Sequence, residues 1–160
     1  MNITRVLAFS DSHGSTRQII SALEEQPEAE YALFLGDGAE SFSELSPAFP
    51  EMRFYAVCGN CDRWSDLPAF RVVSIAGKKI YMTHGHTEGV KYAMGTLIKQ
   101  ALAHGAEVAL YGHTHISSVN YIDGLHIVNP GSVSRPRAGR AGYAVIDITD
   151  GGIVPFIRKI

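Results

Sequence analysis

The sequence predicts one α/β domain spanning residues 1–160, built as a four-layer α/β/β/α sandwich of two mixed sheets with helices outside. Three observations point there. Short apolar runs alternate with an amphipathic helix in the first half of the chain. Three hairpin signatures punctuate the second half. The length suits a single compact core, and no internal repeat, low-complexity tract or Pro/Gly/Ser-rich linker divides the chain.

In order, residues 4–10 (TRVLAFS) read as a buried strand. Ser15 or Thr16 is placed to cap a helix running to Gln26, with Ile19, Ile20 and Leu23 at helical spacing and Pro27 just beyond. Residues 31–35 and 54–58 are two further buried strands, so strand, helix, strand with short connections implies parallel pairing. The runs 71–75 and 79–83 flank Ala76-Gly77-Lys78 as a hairpin. Residues 88–104 read as a long helix closed by Gly105, and 107–111 as another buried strand. Asp123-Gly124 and Asp150-Gly151-Gly152 each join two strands, 119–122 with 126–128 and 141–148 with 153–157.

Composition narrows the function classes. The chain is 46% apolar and 19% charged, with a net charge of -2, which fits a folded domain and gives no global attraction to nucleic acid or anionic lipid. No run is long enough to span a bilayer, the N-terminus does not read as a signal peptide, and a cytoplasmic location is the default expectation. Cys58 and Cys61 form a C-x-x-C, but no second pair completes a zinc cage; one strand-end residue and one loop residue is the simpler reading than a redox dithiol.

The polar loops after these runs carry Asp11, His13, Asp37, Asn60, His84, His113 and His115, which include four of the seven histidines. Sites in α/β sheets gather beyond the carboxyl ends of strands, so groups distant in sequence can converge. Imidazoles with carboxylates suit Mn, Fe, Zn, Co or Ni. The pairs Asp11/His13 and His113/His115 are spaced to face one side of a turning loop, and Gly36 and Gly38 remove bulk around Asp37, so that one carboxylate can lie between two cations.

The ordered blocks Asp11-Ser12-His13, Gly36-Asp37, Gly59-Asn60, His84 and Gly112-His113-Thr114-His115 resemble the signature of the calcineurin-like metallophosphoesterases. The tail Asn129-Pro130-Gly131-Ser132-Val133-Ser134-Arg135-Pro136-Arg137 resembles that of the small YfcE-type phosphodiesterases. The resemblance covers most of the chain. It implies a sandwich with helices on both outer faces and two divalent cations, manganese foremost. One would be held by Asp11, His13, Asp37 and His115, the other by Asp37, Asn60, His84 and His113. It further implies a hydrolase in which a hydroxide bridging the cations attacks phosphorus, with Asn60 and Asp37 in the catalytic set.

The family commonly has His after the Asn of its Gly-Asn block; here that position is Cys61, followed by Asp62. A thiol is a poorer proton donor than imidazolium, which favours substrates with good leaving groups. Two dications set against Asp11, Asp37 and hydroxide leave one positive charge, which a phosphodiester monoanion neutralises and a monoester dianion overshoots. A small phosphodiester is therefore the expected substrate. Cys61, His86 and Arg135 are candidates to face it, while residues 39–50 are candidates to cover the site. A pI of about 6.4 and the lack of a basic, aromatic-laced stripe disfavour a polymeric nucleic acid. The alternative implied by the same resemblance is a non-catalytic protein-interaction scaffold, as in the retromer subunit.

Overall fold

The structure, a computed structural model, describes residues 2–160. The chain runs β1 (Thr4–Phe9), α1 (Arg17–Glu25), β2 (Ala29–Phe34), α2 (Ala39–Ser43), β3 (Arg53–Ala56), β4 (Phe70–Ile75), β5 (Lys78–Thr83), α3 (Gly95–Ala103), β6 (Val108–Leu110), β7 (Ser118–Ile122), β8 (Leu125–Asn129), β9 (Gly142–Thr149) and β10 (Gly152–Lys159). One sheet has the order β10-β9-β1-β2-β3, the other β4-β5-β6-β8-β7. Both are mixed. β1, β2 and β3 are parallel, as are β5, β6 and β8, and antiparallel hairpin strands extend each sheet.

Period-two alternation explains the layers. In β1, Val6 and Ala8 enter the space between the sheets, where they join Leu33, Leu35, Ile80, Met82, Val108 and Leu110. Their neighbours Leu7 and Phe9 face outward and meet Ile19, Ala22 and Leu23 of α1 and Phe42 of α2. On the far side, Tyr81 and Ala109 face Leu97 and Ala101 of α3. The expected order of helix, sheet, sheet, helix is what the three apolar clusters trace.

Two expectations need correction. The helix expected over 88–104 is confined to α3, because Gly89 adopts φ 65° and residues 85–93 close a series of turns (Val90 N–H to Gly85 O, 3.3 Å; Tyr92 N–H to Gly89 O, 2.9 Å). The turns ahead of α3 place Lys91 beside the site instead of on a helix face. Residues 39–50 do not cover the candidate metal site. The Phe42 ring instead packs on Phe34 at 4.9 Å and Phe54 at 5.0 Å, which draws α2 into the outer core of the first sheet.

Candidate metal centre

Every candidate ligand leaves the carboxyl end of a parallel strand. Asp11 and His13 follow β1, Asp37 follows β2, Asn60 follows β3, His84 follows β5, and His113 and His115 follow β6. The sheets stack so that these ends share one rim. Backbone hydrogen bonds then lace the loops together. Asp11 N–H donates to Gly36 O at 3.0 Å, His13 N–H to Asp37 O at 2.8 Å, and Gly112 N–H to His84 O at 2.9 Å.

Sharp reversals make the approach that close. Asp11, His13, Asp37, His113 and His115 all have positive φ, between 49° and 70°, a region that costs a non-glycine residue energy and persists only when the surroundings enforce it. At Gly59 any Cβ would collide with the Asp37 carboxylate, and at Gly112 it would collide with Ser10 Oγ and the Asp11 carboxylate. Those two glycines are what the Gly-Asn and Gly-His blocks require.

The resulting geometry is a set of inward lone pairs. Nδ1 of His84 bonds Leu35 O at 2.7 Å and Nδ1 of His115 bonds Arg135 O at 2.7 Å. A carbonyl can only accept, so Nδ1 carries the proton in both rings and Nε2 faces the centre. His115 Nε2 lies 3.4 Å from His13 Nε2, and His84 Nε2 lies 3.2 Å from His113 Nδ1. Asp11 is fully buried; Oδ2 accepts from Ser10 Oγ at 2.6 Å and His113 N–H at 3.0 Å, while Oδ1 has no hydrogen-bond donor and sits 3.2 Å from His115 Nε2. Asp37 Oδ1 accepts from Cys61 N–H at 2.8 Å and Oδ2 lies 3.3 Å from His84 Nε2.

Donor atoms of Asp11, His13 and His115 all lie within 4.8 Å of one another, as do those of Asp37, His84 and His113, and those of His13, Asp37 and Cys61. Atoms on opposite sides of an ion are about two bond lengths, roughly 4–4.6 Å, apart. The orphaned Asp11 oxygen and the converging imidazole nitrogens therefore fit divalent cations. The field agrees. Burial pushes the His84 imidazole down, but the hydrogen bond to Asp37 and the charges of Asp11 and Asp37 hold it above its ordinary value. Burial pushes the Asp37 carboxyl up, yet the hydrogen bond and charge of His84, with the Cys61 N–H and His13, hold it well below the usual carboxylate range. His113 is held down to about 4, first by burial and then by the charges of His84 and Lys91, so it is neutral and ligand-ready at ordinary pH.

A cavity of about 370 Å³ opens over these groups and includes Asn60, Cys61, Lys91, Arg135 and Arg137 in its wall. Of the three candidates to face substrate, Cys61 and Arg135 line it. His86 does not; its ring packs 5.4 Å from that of His84 and 6.1 Å from that of His113. Asn60 is exposed, its Nδ2 donating to Cys61 Sγ at 3.6 Å. Arg140 does not line the cavity and donates to Ile160 O at 2.6 Å. The cysteines are free.

Lys91, Asp62 and the trio Asn129, Ser132 and Ser134 contribute without having been among the candidate site residues. Lys91 was masked by the expected helix. Asp62 accepts from the backbone N–H groups of Asp37, Gly38, Ala39 and Gly59 at 2.7–3.2 Å, so it pins two ligand loops. Asn129, Ser132 and Ser134 stitch the sheets' rims. Asn129 Nδ2 donates to Gly112 O and Thr114 Oγ1, Ser132 Oγ to Asp11 O, and Ser134 Oγ to Ser12 O. The Asn-Pro-Gly-Ser tail was the signal for this last group.

Fold and site together point to the phosphoesterase class of hydrolases, with side chains grouped as ligands to divalent metal would be. Residues 4–151 match the calcineurin-like phosphoesterase superfamily domain, and the chain belongs to that family. Within it, the chain is 34% identical over 145 residues to the probable metallophosphoesterase YsnB of Bacillus subtilis (89% of this chain, 83% of YsnB). It is 26% identical over 172 aligned positions to the phosphodiesterase YfcE of Escherichia coli K12 (89% and 87%). Among solved structures, a conserved uncharacterized protein of Streptococcus pneumoniae TIGR4, a predicted phosphoesterase, superposes with a TM-score of 0.81 at 25% identity over 99% of both chains. Vacuolar Protein Sorting 29 of Cryptosporidium parvum shares the fold, with a TM-score of 0.76 at 18% identity over 99% of this chain and 98% of that one.

Proposed function

We propose that this protein is a dinuclear metal-dependent phosphodiesterase acting on small diesters in the cytoplasm, with manganese as the leading cofactor and Fe, Zn, Co or Ni also suited to the ligands. The observation that carries this reading is Asp37, whose carboxylate stands between the His84/His113 group and the His13 side of the site. One ion would be held by Asp11, His13, Asp37 and His115, and a second by Asp37, Asn60, His84 and His113. When bound, such ions neutralise phosphoryl charge and make water acidic enough to attack near neutral pH.

The chain's own residues supply the rest. Lys91, Arg135 and Arg137 give the cavity a cationic wall that draws and orients a phosphate anion. Asn60, at the cavity wall, offers an amide to a phosphoryl oxygen. Burial and then Asp37 push the Cys61 thiol up, so it holds its proton against a departing alkoxide less usefully than an imidazolium would release one. Loss of a general acid typically lowers rate by about 10²–10⁴, least when the leaving group is already stable as an anion. A diester with a good leaving group is the substrate that tolerates this.

The test compares a nitrophenyl diester with the monoester under added manganese, followed by mono-, di- and cyclic phosphates. Diester turnover exceeds monoester turnover, and Cys61→His raises the monoester rate. A native preference for the monoester overturns the substrate assignment, and turnover indifferent to a chelator overturns the metal assignment. The alternative of a binding scaffold has one observation in its favour: Val119, Tyr121 and Ile122 on β7 and Val154 on β10 form an exposed apolar edge. Metal-dependent turnover separates the two readings.

A further inference from the structure

We propose that a second cavity, meeting the metal cavity at Cys61, is a nucleobase subsite, so that the diester this chain cleaves carries a nucleoside on one arm. The proposal rests on the phosphodiesterase reading above and names the substrate class for the same site. The second cavity has a volume of about 590 Å³, and its wall includes Glu40 and Ser43 from α2 and Cys61, Arg63, Trp64 and Asp66 from the loop after β3. Cys61 also lines the metal cavity, which makes the two cavities neighbours across that residue.

Trp64 is the feature that asks for an occupant. It is the only tryptophan in the chain, and it is 95% exposed. An indole normally buries most of its large apolar face. The exposure is not that of a loose loop. Asp62 pins the segment through four backbone N–H groups, Cys58 N–H donates to Pro68 O at 2.9 Å, Ser65 N–H to Asp62 O at 3.2 Å, and Leu67 packs against the outer core. The chain is held on both sides of an indole that nothing covers.

Charge decides what the indole takes. The cations Lys91, Arg135 and Arg137 all lie in the metal cavity, whereas the second cavity carries Glu40, Asp62 and Asp66 against the single Arg63. Another phosphate is repelled there. A flat, uncharged group with amino donors is favoured, and a nucleobase is such a group: its face stacks on the indole and its exocyclic amine donates to a carboxylate. Asp62 is already engaged by the backbone, which leaves Glu40 and Asp66 as acceptors. A quaternary ammonium arm fits less well, because it prefers a cage of several aromatic rings and here meets one, with Arg63 alongside.

The single tryptophan makes binding directly visible. Adenosine 5′-phosphate added to manganese-loaded protein quenches Trp64 emission saturably, and adenosine does so in protein stripped by chelator. Ribose 5-phosphate and phosphocholine leave the emission unchanged. Equilibrium dialysis then shows adenosine 5′-phosphate bound about tenfold more weakly by Trp64→Ala, and within about threefold of native by Trp64→Phe, as loss or retention of one stacking face requires. No quench by either adenosine compound, an equal response to ribose 5-phosphate or phosphocholine, or native affinity in Trp64→Ala overturns the subsite. Adenosine quenching retained in a protein without metal-dependent turnover overturns the phosphodiesterase reading and leaves the base site standing, so the two failures are told apart.

Discussion

The two sheets contribute unlike chemistry to one rim. The first sheet supplies both carboxylates, Asp11 and Asp37, with Asn60 and one imidazole, His13, whereas the second supplies only imidazoles, His84, His113 and His115. Each unlike pair that matters crosses the interface: Asp37 to His84 at 3.3 Å and Asp11 to His115 at 3.2 Å. The candidate anionic ligands thus lie on one layer and most of the candidate neutral ligands on the other. Neither layer alone can neutralise and enclose a dication. The site is a property of the docked sandwich, and the apolar cluster between the sheets, from Val6 to Ile148, is what brings the halves into register.

The largest expected effect comes from removing the shared charge on the first sheet. Asp37→Asn lowers metal-dependent turnover by at least about 10²–10³ and, on the dinuclear reading proposed above, takes bound metal from two ions to one by elemental analysis. On the second sheet, His113→Asn removes a neutral ligand and weakens one ion by about 10–100-fold while the other stays bound, since even partners that only orient a ligand have effects of that size. Equal losses from the two substitutions would erase the asymmetry between the sheets.

Next in size is Asp62→Ala, which touches only the first sheet's loops. It strands the N–H groups of Asp37, Gly38, Ala39 and Gly59. A buried donor left unpaired costs about 1–3 kcal/mol, and these are reached in part by water, so the total is about 3 kcal/mol in urea unfolding. Asp62→Asn, which keeps one acceptor oxygen in place, recovers part of it. A native midpoint for Asp62→Ala would show that the two loops hold their shape without that carboxylate.

Much of this was legible in the sequence, and the failures have physical causes. Apolar runs such as 4–10 and 31–35 announced buried strands because both of their faces are covered. Asp123-Gly124 announced a hairpin because both residues adopt positive φ, 53° and 80°. The candidate ligands were readable as types at spacings, and the structure places each of them after a strand. The helix over 88–104 misread Gly89 as tolerable, when a left-handed glycine ends the periodicity there. Residues 39–50 were polar enough to pass for a lid, but Phe42 decided their place by packing. Asp62 showed in the sequence only as the residue after Cys61, and its partners are backbone N–H groups, which leave no mark in a sequence.

The seam between the sheets offers a subtler break. Ser132 Oγ donates to Asp11 O at 2.8 Å and accepts from the N–H of Ser134 and Arg135 at 3.2 and 2.7 Å, which ties the first sheet's metal loop to the tail after β8. Ser132→Ala leaves those groups unpaired and costs about 1–2 kcal/mol. A ligand moved by a fraction of an ångström lowers turnover about tenfold, given that about 1 Å can cost a hundredfold. Metal content is unchanged. Lost stability with unchanged turnover would mean that Asp11 keeps its position without Ser132, through Ser10, His113 and Gly36.

The smallest effect lies on the outer face of the second sheet, away from the rim. Tyr81 is buried beneath α3 and its O–H donates to Gln100 Oε1 at 3.0 Å. Burial, helped by the charge of Glu88, pushes the phenol up from 10 to about 12. The unfolded chain gives up this proton near pH 10 and the folded chain does not, so the folded state binds more protons across the window. Its stabilising contribution is whole below pH 10 and declines between pH 10 and 12. Tyr81→Phe flattens that alkaline decline in thermal unfolding relative to native protein. Tyr81 faces α3 from the outer side of β5, three residues before the candidate ligand His84 at the strand's carboxyl end. An alkaline decline that persists unchanged in Tyr81→Phe would mean that this phenol does not set the upper edge of the stability profile.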